Sequence, residues 1–156
     1  MTRKTYHLRP LRRRVPAGQE WIYPFIARWQ NNAPGDLGIL RFGFDLFDET
    51  LLDPKFGVAG WVSEAFEQIL EFYPAFKKTD RAHVIRTYRD GSKTTWMQIF
   101  ILYLILVGDY GIYWEDNLLP DAKFIRYRGK TFDEADKKVD TIRMELITNQ
   151  KLIRVF

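Results

Sequence analysis

The densest group of side chains that could perform chemistry is a run of four carboxylates within nine positions. Its members are Asp45, Asp48, Glu49 and Asp53. Carboxylate oxygens are the ligands that Ca²⁺ and Mg²⁺ prefer in proteins. The spacing fits no EF-hand loop, however, because the central glycine is missing and no histidine lies nearby. The run therefore indicates a solvated acidic face rather than a metal site.

The sequence offers few other groups for catalysis. It contains no cysteine, which excludes disulfides, thiolate zinc sites and cysteine nucleophiles. His7 and His83 have no second ligand at metal-binding spacing. Gly129-Lys130-Thr131 matches the end of a P-loop, but Phe124 stands where the motif requires its first glycine. We therefore expect a protein that is not an enzyme, with no catalytic residue, cofactor, metal or small-molecule substrate.

The longest apolar stretch covers residues 94–114, and the Tyr103 hydroxyl is the one polar side-chain group over residues 99–107. As a helix, Trp96 to Trp114 would span roughly 27 Å at 1.5 Å per residue, close to the roughly 30 Å of a bilayer's hydrocarbon core. Aromatic residues typical of a membrane-interface belt flank the stretch: Trp96 on one side, and Tyr110, Tyr113 and Trp114 on the other. The pattern predicts one transmembrane helix, and a buried helix of a globular core is the alternative, since short apolar runs also occur there.

Two polar side chains within this stretch, Gln98 and Asp109, would lie within roughly 20° of each other on a helix that turns about 100° per residue. Leu102 and Ile105 fall on the same face. Polar side chains inside a membrane normally face a protein neighbour. We therefore expect Gln98, Leu102, Ile105 and Asp109 to form a face towards a partner subunit, where Asp109 meets a lysine, an arginine, a hydroxyl or a water-filled crevice.

The positive charge of the chain is concentrated at its N terminus. The net charge is +4, and residues 1–19 form a basic arm without a single acid. Its basic residues are Arg3, Lys4, Arg9, Arg12, Arg13 and Arg14. An Arg-rich, acid-free segment is typical of mitochondrial targeting. We expect a protein assembly, anionic lipid headgroups or RNA phosphates to hold this arm.

The overall pattern predicts a mainly α fold with short amphipathic helices and extended arms on either side of the transmembrane helix. We assign a basic arm to residues 1–19, a soluble helical or extended portion to 20–93, the membrane helix to 94–114, and a polar tail with one helix to 115–156. Within these portions, residues 57–73 carry a helical apolar period that ends at Pro74, and residues 80–89 predict a short helix. Residues 123–130 are strand-like, and we expect residues 152–156 either to add a terminal strand or to pack into a partner. Thr131-Phe132-Asp133-Glu134 forms a capping box that opens the last helix.

The segment from Met97-Gln98-Ile99-Phe100 through Val107-Gly108-Asp109, followed by Tyr110 and Tyr113, resembles the membrane segment of the ASHI-type accessory subunit of respiratory complex I. The resemblance covers residues 97–113. It implies a structural or assembly subunit of a mitochondrial inner-membrane respiratory-chain complex, without catalytic or cofactor residues. The partners would then be other subunits of that complex and the lipid bilayer. The basic arm favours an N-terminal portion on the matrix side.

Two other functions remain open. The chain could be a soluble RNA- or assembly-bound structural protein, such as a mitochondrial ribosomal protein, in which the arm contacts phosphates and the apolar stretch is a buried helix. A phage or viral assembly protein also fits the composition.

Overall fold

The structure is a computed structural model that describes residues 5–52, 60–79, 93–120 and 131–156. The described chain is mainly helical, which confirms the predicted class. After a 3-10 turn at Glu20–Ile22, the helices are α1 (Tyr23–Gln30), α2 (Gly38–Phe47), α3 (Gly60–Thr79), α4 (Lys93–Leu106), α5 (Phe132–Thr148) and α6 (Gln150–Val155). The strands are β1 (Asn31–Ala33), β2 (Asp36–Leu37), β3 (Tyr113–Trp114) and β4 (Asn117–Leu118).

The strands form one small sheet in the order β2-β1-β3-β4. β1 and β2 are an antiparallel hairpin whose turn contains Gly35 at φ +76°, a conformation that glycine adopts without a steric penalty. β3 and β4 are a second antiparallel pair. The parallel pairing of β1 with β3 sets Asn32 opposite Trp114, so the sheet joins the two halves of the chain.

The centre of the core lies between α1, α2 and α4, and Val62, Phe66 and Leu70 of α3 are also fully buried in it. Its largest fully buried side chains include Trp29 on α1, Phe42 and Phe47 on α2, and Ile99 and Tyr103 on α4. A Cβ atom built on Gly43 would lie 2.7 Å from the ring of Trp96. Glycine at this position therefore permits the close approach of α2 to α4.

The predicted continuous helix over residues 94–114 is wrong beyond Leu106, where α4 ends. The amide groups of Val107 and Gly108 both donate to the carbonyl of Tyr103, at 3.0 Å each, which closes the last turn. Gly111 then adopts φ +119°, and the chain enters β3, whose backbone pairs with β1. A helix of 14 residues falls short of the roughly 20 that a bilayer requires. Within the described ranges, no helix combines the length and the apolar character needed to cross a membrane.

The other predicted elements have mixed outcomes. The helix expected to end at Pro74 continues to Thr79 as part of α3, because proline can be accommodated within a helix at the cost of one backbone hydrogen bond. The predicted start of α5 is confirmed, since the Thr131 hydroxyl accepts a hydrogen bond from the Glu134 amide at 3.1 Å. The predicted terminal strand is wrong: Asn149 caps a short helix there by accepting from the Leu152 amide. The predicted elements at 80–89 and 123–130 lie outside the described residues.

Candidate functional site

The four residues predicted to face a partner subunit are divided between the core and the surface. Gln98 and Leu102 are buried within the chain, whereas Ile105 is 44% exposed and the Asp109 side chain is about half exposed. The physical reason is that the first turns of α4 are covered by other parts of the same chain. Two of the four side chains are therefore inaccessible to a partner in this fold.

Three of the four aromatic residues predicted to form a membrane belt lie in the core. Trp96, Tyr113 and Trp114 are buried, and Tyr110 is partly buried. The ring of Trp96 packs edge-on against Phe44 and Phe66, at centroid distances of 5.7 and 6.1 Å. Aromatic residues at both ends of an apolar stretch thus also suit a helix that ends inside a globular core.

Part of the basic arm contacts its own chain. The Arg12 guanidinium donates to the carbonyl oxygens of Gly108 and Leu119, and its amide donates to Tyr110. Arg9 forms an ion pair with Asp116 at 3.1 Å. Arg14 is exposed, and Arg3 and Lys4 lie outside the described residues. The binding partner of at least part of the arm is therefore the segment that follows α4.

Asp109 does have the cationic partner that the sequence led us to expect, but this partner is Arg13 of the same chain. The hydrogen bond to Asp109 raises the pKa of Arg13. Both side chains are well exposed, and exposed ion pairs contribute little to stability. We expect Asp109→Leu to leave the thermal midpoint of the isolated protein almost unchanged. Calorimetry should detect no measurable difference, and a marked drop would show that Asp109 has a further structural role.

A buried polar cluster connects β1 to α4. The Tyr103 hydroxyl donates to the Trp29 carbonyl at 2.6 Å and accepts from the Asn32 amide at 2.9 Å. The same Asn32 side chain donates to the Tyr113 carbonyl at 3.0 Å and accepts from the Ile39 amide at 3.2 Å. Complete burial raises the pKa of Tyr103, so its hydroxyl stays protonated. We interpret this cluster as structural, because its groups are engaged with one another and sealed from solvent.

The best candidate for a binding site is a cavity of about 380 Å³ between α1, α2 and α6, which we call the α1–α6 groove. All eight of its lining residues belong to described elements: Phe25, Arg28, Trp29, Asp45, Leu46, Lys151, Arg154 and Val155. The groove forms because α6 turns back across the ends of α1 and α2. That turn is fixed by Asn149, whose side-chain amide donates to the Leu46 carbonyl at 2.8 Å.

One wall of the groove carries a fully engaged carboxylate. Asp45 accepts from Arg28 at 2.5 and 3.2 Å, in a two-point contact, and from the Trp29 indole at 2.7 Å. The hydrogen bond to Asp45 raises the pKa of Arg28 despite partial burial. Asp45 therefore has little capacity left to bind a metal ion or act as a base.

The opposite wall carries two cations on α6 that differ in their surroundings. Lys151 pairs with Asp48 at 2.7 Å and with Glu49 at 3.5 Å, and the hydrogen bond to Asp48 raises the pKa of Lys151. Arg154 is exposed and has no ion-pair partner among the described residues. Arg154 is therefore the cation of the groove that lacks a direct ion-pair partner within the described ranges, although the acids Asp45, Asp48 and Glu49 equal the three cations in number.

Three members of the acidic run are counterions in the groove: Asp45 pairs with Arg28, and Asp48 and Glu49 pair with Lys151. Asp53 lies outside the described residues. Sequence reasoning did not single out the groove, because its apolar lining comes from three separate helices and α6 was expected to be a strand. The spacing of Lys151 and Arg154, three residues apart, would have placed both on one side of a helix.

No family model, curated protein or solved structure matches this chain.

Proposed function

We propose that this protein is a non-catalytic structural subunit of a larger assembly, and that it contacts a neighbouring subunit through the outer face of α5. The observation that carries the proposal is that α5 has apolar side chains on two opposite faces. Ile142 is buried against the core, together with Glu145. Met144 and Ile147 lie on the other side of the helix and are 53% and 60% exposed.

The spacing of these residues defines the two faces. At about 100° per residue, Met144 and Ile147 point roughly 140–200° away from Ile142. A helix at the surface of a monomer normally carries its apolar side chains on one face. Phe132, at the start of the same helix, is 84% exposed. Apolar side chains on the outer face favour contact with another protein, because that contact would remove them from water.

The finer form of this proposal is that the assembly is a mitochondrial inner-membrane respiratory-chain complex. It is supported by the resemblance of residues 97–113 to the ASHI-type subunit of complex I and by the arginine-rich, acid-free arm. Contact through α5 would attach the chain to such a complex without a membrane span. Alkaline carbonate extraction distinguishes these modes: a subunit held by α5 is released into the supernatant, and a spanning chain stays in the pellet.

The alternative, an RNA-bound structural protein, is less well supported. Binding to RNA phosphates requires cations that are free to approach them. Arg9 and Arg13 are paired with acids of the same chain, and Arg12 is directed to backbone carbonyls. The arm would have to break these contacts before it could bind RNA in the way the sequence suggested.

The test compares two isoleucine-to-lysine substitutions, Ile147→Lys on the outer face of α5 and Ile105→Lys on α4. Both positions are exposed, at 60% and 44%, so neither substitution should unfold the chain. We expect Ile147→Lys to release the protein from its native assembly to the size of a single chain in native electrophoresis after extraction with mild detergent. Ile105→Lys should leave it in the assembly.

The opposite result would reverse the assignment of the contact face. If Ile105→Lys dissociates the assembly and Ile147→Lys does not, the partner is bound by the exposed part of α4, in line with the face expected from the sequence. A wild-type chain that migrates alone under the same conditions would contradict the proposal as a whole.

A further inference from the structure

We propose that the α1–α6 groove binds a small anionic amphiphile, namely a monocarboxylate that carries an aliphatic chain. The inference is independent of the proposed assembly role, because the groove and the outer face of α5 are different surfaces. Its volume of about 380 Å³ lies at the lower end of the range of roughly 300–1,000 Å³ that is typical of small-molecule sites. A cavity of this size suits a small ligand better than a helix of a partner protein.

The floor of the groove is apolar. Trp29, Leu46 and Val155 contribute buried side chains, and Phe25 stands partly exposed at the edge. The rings of Phe25 and Trp29 pack together with their centroids 5.6 Å apart. The polar group of Trp29 is already occupied, because its indole N–H donates to Asp45. An aliphatic chain would therefore meet apolar surface along this floor, and its burial there would be favourable.

Within the described ranges, the ion pairs around the groove leave one basic side chain without a partner. Arg28 is paired with Asp45, and Lys151 is paired with both Asp48 and Glu49. Arg154 is the third cation at the groove, and unlike the other two it has no ion-pair partner among the described residues. A guanidinium binds a carboxylate through two parallel hydrogen bonds. We therefore assign Arg154 as the group that would bind the carboxylate, while the aliphatic chain lies over Trp29 and Val155.

Other classes of ligand fit less well. A cationic ligand would meet three basic side chains and would find Asp45 already occupied by three hydrogen bonds. A doubly charged phosphate would need more than the one guanidinium that is not already paired. A neutral apolar molecule would leave Arg154 without a counterion.

The experiment titrates the chain with decanoate below its micelle-forming concentration. NMR follows the backbone amide resonances and the indole N–H resonances. We expect saturable shifts at the Trp29 indole and at residues 151–155. Decanol, which has the same chain without the charge, should bind more weakly. Acetate, which has the charge without the chain, should produce no saturable shift.

Two variants assign the contributions. Arg154→Gln should weaken decanoate binding about tenfold or more, as expected for the loss of a charge-assisted hydrogen bond, and should abolish the preference over decanol. Arg14→Gln is the matched control, since Arg14 is an exposed arginine of the basic arm and its loss should leave the affinity unchanged. Phe25→Ala should weaken decanoate and decanol alike.

Several outcomes would overturn the proposal. They are equal affinity for decanoate and decanol, equal effects of Arg154→Gln and Arg14→Gln, and saturable shifts confined to α5 or to the end of α4. Circular dichroism of each variant verifies that a loss of binding does not reflect unfolding.

Discussion

Replacing Phe42 by alanine should lower the free energy of unfolding by about 3–5 kcal/mol, as is typical when a large aromatic side chain is removed from a core. Phe42 is completely buried on α2. Its ring packs against Trp29 at 5.5 Å, Phe47 at 5.5 Å and Tyr103 at 5.3 Å between centroids. These rings belong to α1, α2 and α4, so a single substitution removes contacts that join these three helices.

The neighbours of Phe42 cannot readily close the space that alanine would leave. Trp29 is fixed by its hydrogen bond to Asp45, and Tyr103 is fixed by its hydrogen bonds to Asn32 and the Trp29 carbonyl. A cavity that persists adds its own cost to that of the lost burial. We therefore expect the effect to lie towards the upper end of the range.

Chemical denaturation, monitored by tryptophan fluorescence and circular dichroism, measures this effect. Phe132→Ala is the matched control, because Phe132 is 84% exposed at the start of α5 and the same atoms are removed. It should change the free energy of unfolding by less than about 0.5 kcal/mol. Similar effects of the two substitutions would contradict the assignment of the core to α1, α2 and α4.

Replacing Asn32 by leucine should lower the free energy of unfolding by roughly 3–5 kcal/mol, because it leaves several buried polar groups without partners. Each such group costs about 1–3 kcal/mol. The Ile39 amide would lose its acceptor, and the Tyr113 carbonyl would lose a donor. The Tyr103 hydroxyl would keep the Trp29 carbonyl as an acceptor and lose the hydrogen bond from Asn32.

Thermal and chemical unfolding of Asn32→Leu and Asn117→Leu should give very different results. Asn117 is an exposed asparagine of β4, and no side-chain hydrogen bond is recorded for it in the described part of the chain. A destabilisation of Asn32→Leu by less than about 1 kcal/mol would mean that water or a rearranged backbone satisfies the orphaned groups. The cluster would then not be essential for joining β1 to α4.

Local patterns predicted those elements whose signal lies within a few neighbouring residues. The apolar period in residues 57–73 predicted most of α3, and the Thr131 cap predicted the start of α5. The end of α4 was not predictable in this way. β3 and β4 have two residues each, too few for an alternating pattern, and β3 is stabilised by pairing with Asn31 and Asn32, which lie about 80 positions earlier.

The pairing of charged residues was also not predictable from local sequence patterns. The sequence shows a cluster of cations in the arm and a cluster of acids from Asp45 onward, but it does not show which cation pairs with which acid. Arg13 pairs with Asp109, and Lys151 pairs with Asp48 across 103 positions. The sequence predicted that a lysine, an arginine, a hydroxyl or a water-filled crevice of a partner would meet Asp109, whereas in this fold Arg13 of the same chain pairs with it. The α1–α6 groove depends on the same kind of distant pairing, so no local pattern indicated it.

The contacts of the basic arm also determine when, during folding, the arm can dock on the rest of the chain. Arg12 binds carbonyls that lie 96 and 107 positions later, and the Pro10 carbonyl accepts from the Tyr113 hydroxyl, 103 positions later. During synthesis on the ribosome, the arm emerges before its partners and cannot dock until about residue 119 is available. Contacts over such long separations are expected to form late, since closing a large loop is slow. Interactions formed after the folding barrier slow unfolding without speeding folding. We therefore expect the docked arm to slow the unfolding of the finished fold.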